Sequence, residues 1–355
     1  MLKIVTIVGA RPQFIKAANL SRHILQSKKI SEIIIHTGQH YDNNMSEIFF
    51  NELGIPLPDY KLKLGGLSHG AMTGRMIEEI EKILIKEKPE FVVVYGDTNS
   101  TLAGAIAASK LNIKIAHIEA GLRSFNNQMP EEINRIVVDR ISSILFCPNK
   151  RALNNLKKEG YQNTTSKLLN VGDIMFEGIN FYKNKLEEYN FEKINFPFIL
   201  ATIHREENII NTASFKNIFK SLSHISENNK VIFPLHPRTK NKIKNESINT
   251  GKIEFIEPVG YIKMIDLINK SYLIITDSGG MQKEAFFLKK PCVTLREETE
   301  WSELVENKVN VLVGSNYDKI LSAFNLNWHD PSGFEKNLYG DGKTSEKIIK
   351  TLLNF

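Results

Sequence analysis

Three carboxylates set the chemistry that this sequence could do: Asp97 in Tyr-Gly-Asp-Thr, Glu119 in His-Ile-Glu-Ala-Gly-Leu-Arg, and Glu131 in Met-Pro-Glu-Glu-Ile-Asn-Arg. Carboxylates placed near one another split their pKa values, leaving one as a protonated acid and another as an ionised base. Arg123 and Arg135 follow closely in the chain and are candidate ion partners. The competing readings are a helix N-cap for Asp97 and structural ion pairs for the glutamates. Convergence on one cleft decides between proton transfer and these.

A second group reads as an anion site. Asp277-Ser278-Gly279-Gly280 follows an apolar run and opens a helix, so its backbone N–H groups and the helix dipole suit a phosphate. Glu284, less than two turns beyond Ser278, is placed to meet ribose hydroxyls. A plain tight turn is the alternative, because glycine serves turns readily. Arg11 and Lys16 read as a cationic edge of the cleft, against a capping turn with solvated cations, since Pro12 suits a first helical turn. His204 and His236 close apolar runs, where an imidazole can donate to phosphate or move a proton. With His36, His40, His69 and His117 they invite a metal reading. Of these only His36 and His40 stand four apart, across a strand exit with Gly38, and neither cysteine has a second beside it, so no metal is expected.

The elements that must position these residues are short β-branched runs separated by helical patterns: Ile4 to Val8, Ile33 to His36, Phe91 to Tyr95, Ile115 to Ile118 and Ile144 to Cys147. After a polar stretch around Lys183 to Asn195 the pattern restarts with Phe198 to Ile203, Val231 to Leu235, Ile253 to Ile256, Leu273 to Thr276 and Cys292 to Leu295. Buried parallel strands alternating with helices make an α/β protein of two doubly wound Rossmann-like domains facing a cleft. The expected division is 1–170 with a terminal helix at about 344–355, and 171–343. Ligands in such folds sit beyond the carboxyl ends of the strands, and that is where the polar residues cluster. Arg11 and Pro12 stand where a dinucleotide fold needs Gly-x-Gly-x-x-Gly, which excludes a nicotinamide or flavin enzyme, and no cofactor is expected.

Composition bounds the partners. The chain has 355 residues, 42% hydrophobic and 24% charged, which suits two ordinary globular domains. A formal charge of +6 favours anionic ligands. Nucleic acid is not expected, because the cluster Lys240, Lys242 and Lys244 lacks interleaved aromatics and reads as a solvated helix face. The run Ile4 to Val8 is too short for a signal core, and no window approaches the roughly 18 apolar residues of a membrane span. A cytoplasmic protein is expected. Cys147 and Cys292 sit in apolar contexts that suit small core residues in a reducing compartment.

The motifs Gly-Ala-Arg-Pro-Gln-Phe-Ile-Lys, Gly-Gln-His-Tyr, Gly-Asp-Thr, His-Ile-Glu-Ala-Gly-Leu-Arg, Pro-Glu-Glu-Ile-Asn-Arg, Thr-Asp-Ser-Gly-Gly, Glu-Thr-Glu-Trp and Tyr-Gly-Asp-Gly occur in order from Gly9 to Gly342. Together they resemble the non-hydrolysing UDP-N-acetylglucosamine 2-epimerases. The resemblance implies the glycosyltransferase-B architecture, with the helix near Thr344 to Leu353 returning to the first domain. It implies that Asp97, Glu119 and Glu131 are acid/base carboxylates supported by Arg135 and His204. Arg11, Ser278, Gly279, Gly280 and Glu284 would contact the nucleotide, with Lys16 and His236 placed beside them. The implied reaction is anti elimination of UDP across C1 and C2 to a 2-acetamidoglucal, then re-addition of UDP with the opposite C2 configuration. A homodimer acting on a UDP-sugar for cell-surface polysaccharide precursors is the expected setting. A hydrolysing 2-epimerase and a glycosyltransferase of the same architecture remain alternatives. A mere sugar-nucleotide sensor is disfavoured, because ionised carboxylates beside a diphosphate weaken binding unless they have chemistry to do.

Three departures from the family pattern matter. This chain has Gly-Ala-Arg-Pro-Gln13 where many members have Gly-Thr-Arg-Pro-Glu, and Thr-Glu-Trp301-Ser where they have Thr-Glu-Arg-Pro. Gln39-His40-Tyr41-Asp42 replaces a Gln-His-Arg motif tied to allosteric UDP-N-acetylglucosamine in bacterial members, which puts that regulation in doubt. The variant set, with Arg-Ser-Phe-Asn ahead of Met-Pro-Glu-Glu, is most similar to the branch acting on UDP-2,3-diacetamido-2,3-dideoxy-glucuronate.

Overall fold

A computed structural model describes residues 1–39, 50, 52–192, 194–328 and 330–355, so the reading made on His40, Tyr41 and Asp42 lies outside the described residues. The chain splits into two compact units, Met1–Asn180 with Asn337–Phe355, and Phe181–Lys336.

In the first unit, β1 (Leu2–Val8), β2 (Ile30–His36), β3 (Tyr60–Lys61), β4 (Phe91–Tyr95), β5 (Lys114–Ile118), β6 (Ile144–Cys147) and β7 (Lys167–Asn170) form one sheet in the order β3-β2-β1-β4-β5-β6-β7. Its pairs are parallel, with Val5 opposite both Ile33 and Val92. β4 is buried along its whole length because helices cover both faces, which is why it reads as an unbroken apolar run. Val5, Ile7, Val92 and Val94 pack in one core with Met76, Ile80 and Ala105. The helix Asn99–Lys110 carries Ala103, Gly104, Ala105, Ala107 and Ala108 as buried residues, and small side chains let it lie close on the sheet. A Cβ at Gly104 would collide with Ile7 Cδ1. The helix Thr344–Leu353 joins this unit through Glu177, which accepts from both the Ser345 N–H and its hydroxyl at 2.8 Å.

The second unit holds β8 (Ile199–Thr202), β9 (Val231–Pro234), β10 (Glu254–Ile256), β11 (Leu273–Thr276), β12 (Cys292–Thr294) and β13 (Asn310–Leu312) in the order β10-β9-β8-β11-β12-β13. Phe219 anchors its core, with ring centroids 4.7 Å from Phe215 and 5.8 Å from Phe233. Both units are doubly wound α/β sheets whose first six strands follow the same order, with β7 added at the edge of the first. In each, the order reverses between the first and fourth strands, at β1/β4 and at β8/β11, and ligands of such sheets bind at that reversal. The apolar runs predicted the inner strands and the edge strand β10, but not β3, β7 or β13. β3 has two residues and β7 is polar at both ends, so neither carries the pattern. Cys147 and Cys292 lie buried in β6 and β12; burial pushes the Cys147 thiol up, and the Cys292 thiol to about 12. Among the described residues no helix is long and apolar enough to cross a membrane.

Candidate active site

The first-unit site is built on three strand exits and one helix. Gly96 leaves β4 in the left-handed conformation, at φ 64°, and aims the next residue, Asp97, away from the sheet. The helix that follows is capped by Thr98, whose hydroxyl accepts from Thr101 N–H at 3.3 Å. The capping alternative for Asp97 therefore falls away. Instead its carboxylate meets the Arg135 guanidinium, whose other arm donates to Glu132 at 2.8 Å. Asn134 Nδ2 holds the Asp97 carbonyl at 2.8 Å, so the helix Pro130–Ile141 fixes both backbone and side chain of that residue.

Glu119 leaves β5 with φ 74°, a left-handed backbone that costs a non-glycine residue roughly 1–2 kcal/mol. The strain is held because the N–H groups of Glu119 and Ala120 both donate to the Phe146 carbonyl at 3.1 Å. Its carboxylate contacts the ammonium of Lys16, on the second turn of the helix Arg11–Ser27. Both partners are buried, with side chains 8% exposed, whereas the Asp97 side chain is 29% exposed and open to a ligand. Burial raises the Asp97 carboxyl, but the charges of Arg135 and Lys16 and the Arg135 hydrogen bond outweigh it, with a contribution from His117. The result lies below the usual carboxylate range, so Asp97 is ionised at neutral pH.

The neighbouring candidate residues differ in burial and in partner. Lys16, read from sequence as part of a cationic edge of the cleft, is buried and pairs with Glu119. Glu131 is exposed on the first helical turn, and it is Glu132 that is buried against Arg135, its carboxylate also accepting from Ser124 N–H at 2.9 Å and Phe125 N–H at 3.0 Å. Arg123 serves neither Asp97 nor Glu119. It pairs with Asp139 at 2.7 Å and Glu159 at 2.8 Å. Gln13 explains one departure from the family pattern: its amide oxygen accepts from Gly9 and Ala10 N–H, while its NH2 donates to the Tyr95 carbonyl at 3.0 Å and Thr101 at 2.9 Å. An ionised glutamate could not make the last two bonds. Arg11, half-buried, starts the same helix.

In the second unit the reversal point brings together His204 after β8 and Asp277 after β11. Asp277 is fully buried, and its carboxylate accepts from His204 N–H at 3.1 Å, Arg205 N–H at 3.0 Å and Asn208 Nδ2 at 3.1 Å. The His204 ring lies 3.3 Å from the same carboxylate and is 53% exposed, so its outer edge faces solvent. Ser278 caps the helix Gly279–Phe287 through Met281 N–H, which leaves Gly279 and Gly280 as its first turn and presents their backbone at the positive end of the helix dipole. Glu284 is buried along the same helix. Arg296 donates to Glu300 at 3.0 Å, Thr299 and Asn310 both donate to Gln282, and Lys283 stands 4.0 Å from the Trp301 ring centroid. No sequence signal marked Gln282 or Lys283, because each meets a neighbour distant in sequence. His236 caps the helix Pro237–Asn245, its Nδ1 accepting from Arg238 N–H at 3.3 Å. Among the described residues no cluster of His, Cys, Asp or Glu could hold a metal ion.

Carboxylates at parallel-strand exits in one unit, and a capped glycine turn with a histidine at the reversal point of the other, define an enzyme of the nucleotide-sugar class. The family model for UDP-N-acetylglucosamine 2-epimerase matches residues 22–353, and the chain belongs to that family. It is 51% identical to the UDP-2,3-diacetamido-2,3-dideoxy-D-glucuronate 2-epimerase of Pseudomonas aeruginosa, over 99% of each chain. It is 44% identical to the UDP-N-acetylglucosamine 2-epimerase of Methanocaldococcus jannaschii, again over 99% of each. The crystal structure of the M. jannaschii enzyme with UDP-GlcNAc and UDP superposes with a TM-score of 0.91 at 43% identity, covering all of both chains. That of the Neisseria meningitidis enzyme bound to UDP-GlcNAc gives 0.90 at 31% identity, with the same coverage.

Proposed function

We propose that this chain inverts C2 of a UDP-2-acetamido sugar without hydrolysing it. The observation that carries the reading is an ionised, partly open Asp97 beside the buried Lys16–Glu119 pair, all at the exits of adjoining strands. Asp97 serves as the proton acceptor. It takes the C2 proton as the C1–O bond to UDP breaks, and the electron pair of the C2–H bond becomes the C1=C2 double bond of a 2-acetamidoglucal. Glu119 or Glu131 then delivers a proton to C2 from the opposite face as a UDP oxygen re-forms the bond to C1. The C2 hydrogen of the sugar is not acidic, so departure of the diphosphate must be assisted by cations.

The diphosphate and uridine are assigned to the second unit. The Ser278-Gly279-Gly280 turn supplies backbone N–H donors, His204 a side-chain donor, and Glu284 the ribose contact, with His236 as a further polar contact; Arg11, in the first unit, is a nucleotide contact by the family resemblance alone. The branch we propose is the diacetamido-glucuronate one, supported by the identity to the P. aeruginosa enzyme and by Arg-Ser-Phe-Asn ahead of Met-Pro-Glu-Glu. The working assembly is a homodimer in the cytoplasm; light scattering that gave a monomer at micromolar concentration would remove the dimer. Incubation with the UDP-sugar alone tests the function. An epimerase yields the C2 epimer with UDP attached, a hydrolase releases UDP stoichiometrically, and a transferase waits for an acceptor.

A further inference from the structure

We infer that His117 is a positioning residue that donates from both ring nitrogens and so ties the loop bearing Asp97 to the loop bearing Glu119. The inference rests on the epimerase reading for its kinetic part only.

The ring is fully buried and so cannot reach a substrate. Nε2 lies 2.8 Å from the Gly96 carbonyl, one residue before Asp97. Nδ1 lies 2.7 Å from Asp139 Oδ1, and the other oxygen of that carboxylate accepts from Gly121 N–H at 3.1 Å, two residues after Glu119, and from Arg123 at 2.7 Å. A carbonyl has no proton to give. Asp139 has none either: its carboxylate pairs with the Arg123 guanidinium and accepts from Gly121 N–H, contacts that favour the ionised form. With an acceptor at each nitrogen, the imidazole donates twice, which only the doubly protonated ring can do.

This arrangement closes a set of four charges. His117 and Arg123 balance Asp139 and Glu159, and the chain of bonds runs from the Gly96 carbonyl to the partly exposed Glu159. Gly96 N–H in turn donates to the Ile118 carbonyl at 2.9 Å, so the two exits are laced from both sides of the histidine. The charged groups on the Asp97 side are Arg135, Lys16 and Glu119, and those on the Asp139 side are Arg123 and Glu159, with the Cys147 and Tyr161 side chains also in the field of Asp139. The positive ring contributes to keeping Asp97 ionised. Replacing it with a neutral residue moves Asp97 toward the ordinary range and loosens the Gly96 turn.

The test combines spectroscopy and kinetics. In long-range 1H–15N spectra of histidine-labelled enzyme, at the pH of the assay, both His117 nitrogens carry protons; a bare ring nitrogen at His117 overturns the inference. The signals are assigned by their loss in H117Q, or, if that variant does not fold, by the Nδ1 shift in D139N. Kinetically, H117Q lowers kcat by about 10- to 100-fold, the scale of losing a group that orients a reacting side chain, with KM for the UDP-sugar nearly unchanged. The acidic limb of its kcat–pH profile moves to higher pH. A wild-type profile and kcat in folded H117Q contradict the proposal. If wild-type enzyme turned over no UDP-sugar, the epimerase reading would fall, while the spectrum would still decide the state of His117.

Discussion

The Lys16 ammonium meets the Glu119 carboxylate above Gly96, where a Cβ would stand 3.2 Å from Lys16 Nζ and 3.4 Å from Glu119 Oε2. β4 lies between the strands that lead to these two residues, so the ion pair bridges the exit from which Asp97 projects. Two buried charges of this kind are costly to separate. K16M and E119Q each leave one uncompensated, and the double variant does not. A double-mutant cycle in chemical denaturation should show a coupling of about 1–3 kcal/mol. Additive losses would mean that the pair is not the unit that holds this exit.

Asp97→Asn, Glu119→Gln and Glu131→Gln should each lower turnover by roughly a hundredfold or more, the usual scale for losing a general acid or base. Glu131 is exposed, so its variant should keep the wild-type melting temperature, separating its chemistry from any structural part. Near-normal turnover in all three variants would dismantle the site assignment.

Acid should unfold the first unit through its depressed carboxylates. Asp97 and Asp139 have folded values below the ordinary range, so they contribute stability above the unfolded Asp value of about 3.9. That contribution is lost as pH falls through the lower folded values. Denaturant titrations should therefore show stability dropping on acidification below about pH 5, and D139N should flatten the drop. An equally steep acid dependence in D139N would contradict the assignment.

The second unit separates binding from folding. His204 is half exposed, so His204→Ala should weaken UDP binding measured by calorimetry while leaving the melting temperature in place, because a charge-assisted donor to phosphate is lost. Asp277→Asn removes the buried acceptor of several donors and should cost about 1–3 kcal/mol of stability as well. Unchanged UDP affinity in His204→Ala would count against its phosphate role.

The strands that carry the chemistry were legible because parallel strands buried on both faces write continuous apolar runs, and the residue after each run is a strand exit. Asp97, Glu119, His204 and Asp277 were placed at strand exits in that way, and the structure has them there. The partners were not, because partnership is set by crossovers that no local pattern encodes: Lys16 reaches Glu119 across the intervening β4, and His117 meets Asp139, on a helix 22 residues on. Glu131 and Glu132 illustrate the limit. Adjacent residues on a helix differ by about 100° in direction, so Met-Pro-Glu-Glu could not say which glutamate faces Arg135.

The central claim is that carboxylates move a proton at C2 while UDP departs and returns, and one measurement reaches it directly. Enzyme is incubated in heavy water with UDP-N-acetylglucosamine and, separately, with UDP-2,3-diacetamido-2,3-dideoxy-glucuronate, without nicotinamide, and the product is read by NMR. Removal and return of the C2 proton through Asp97 and a second carboxylate exchanges it with solvent, so the epimer should carry deuterium at C2, with some free UDP and glycal after long incubation. The glucuronate should be the substrate turned over. An epimer that kept its original hydrogen at C2 would contradict the elimination path.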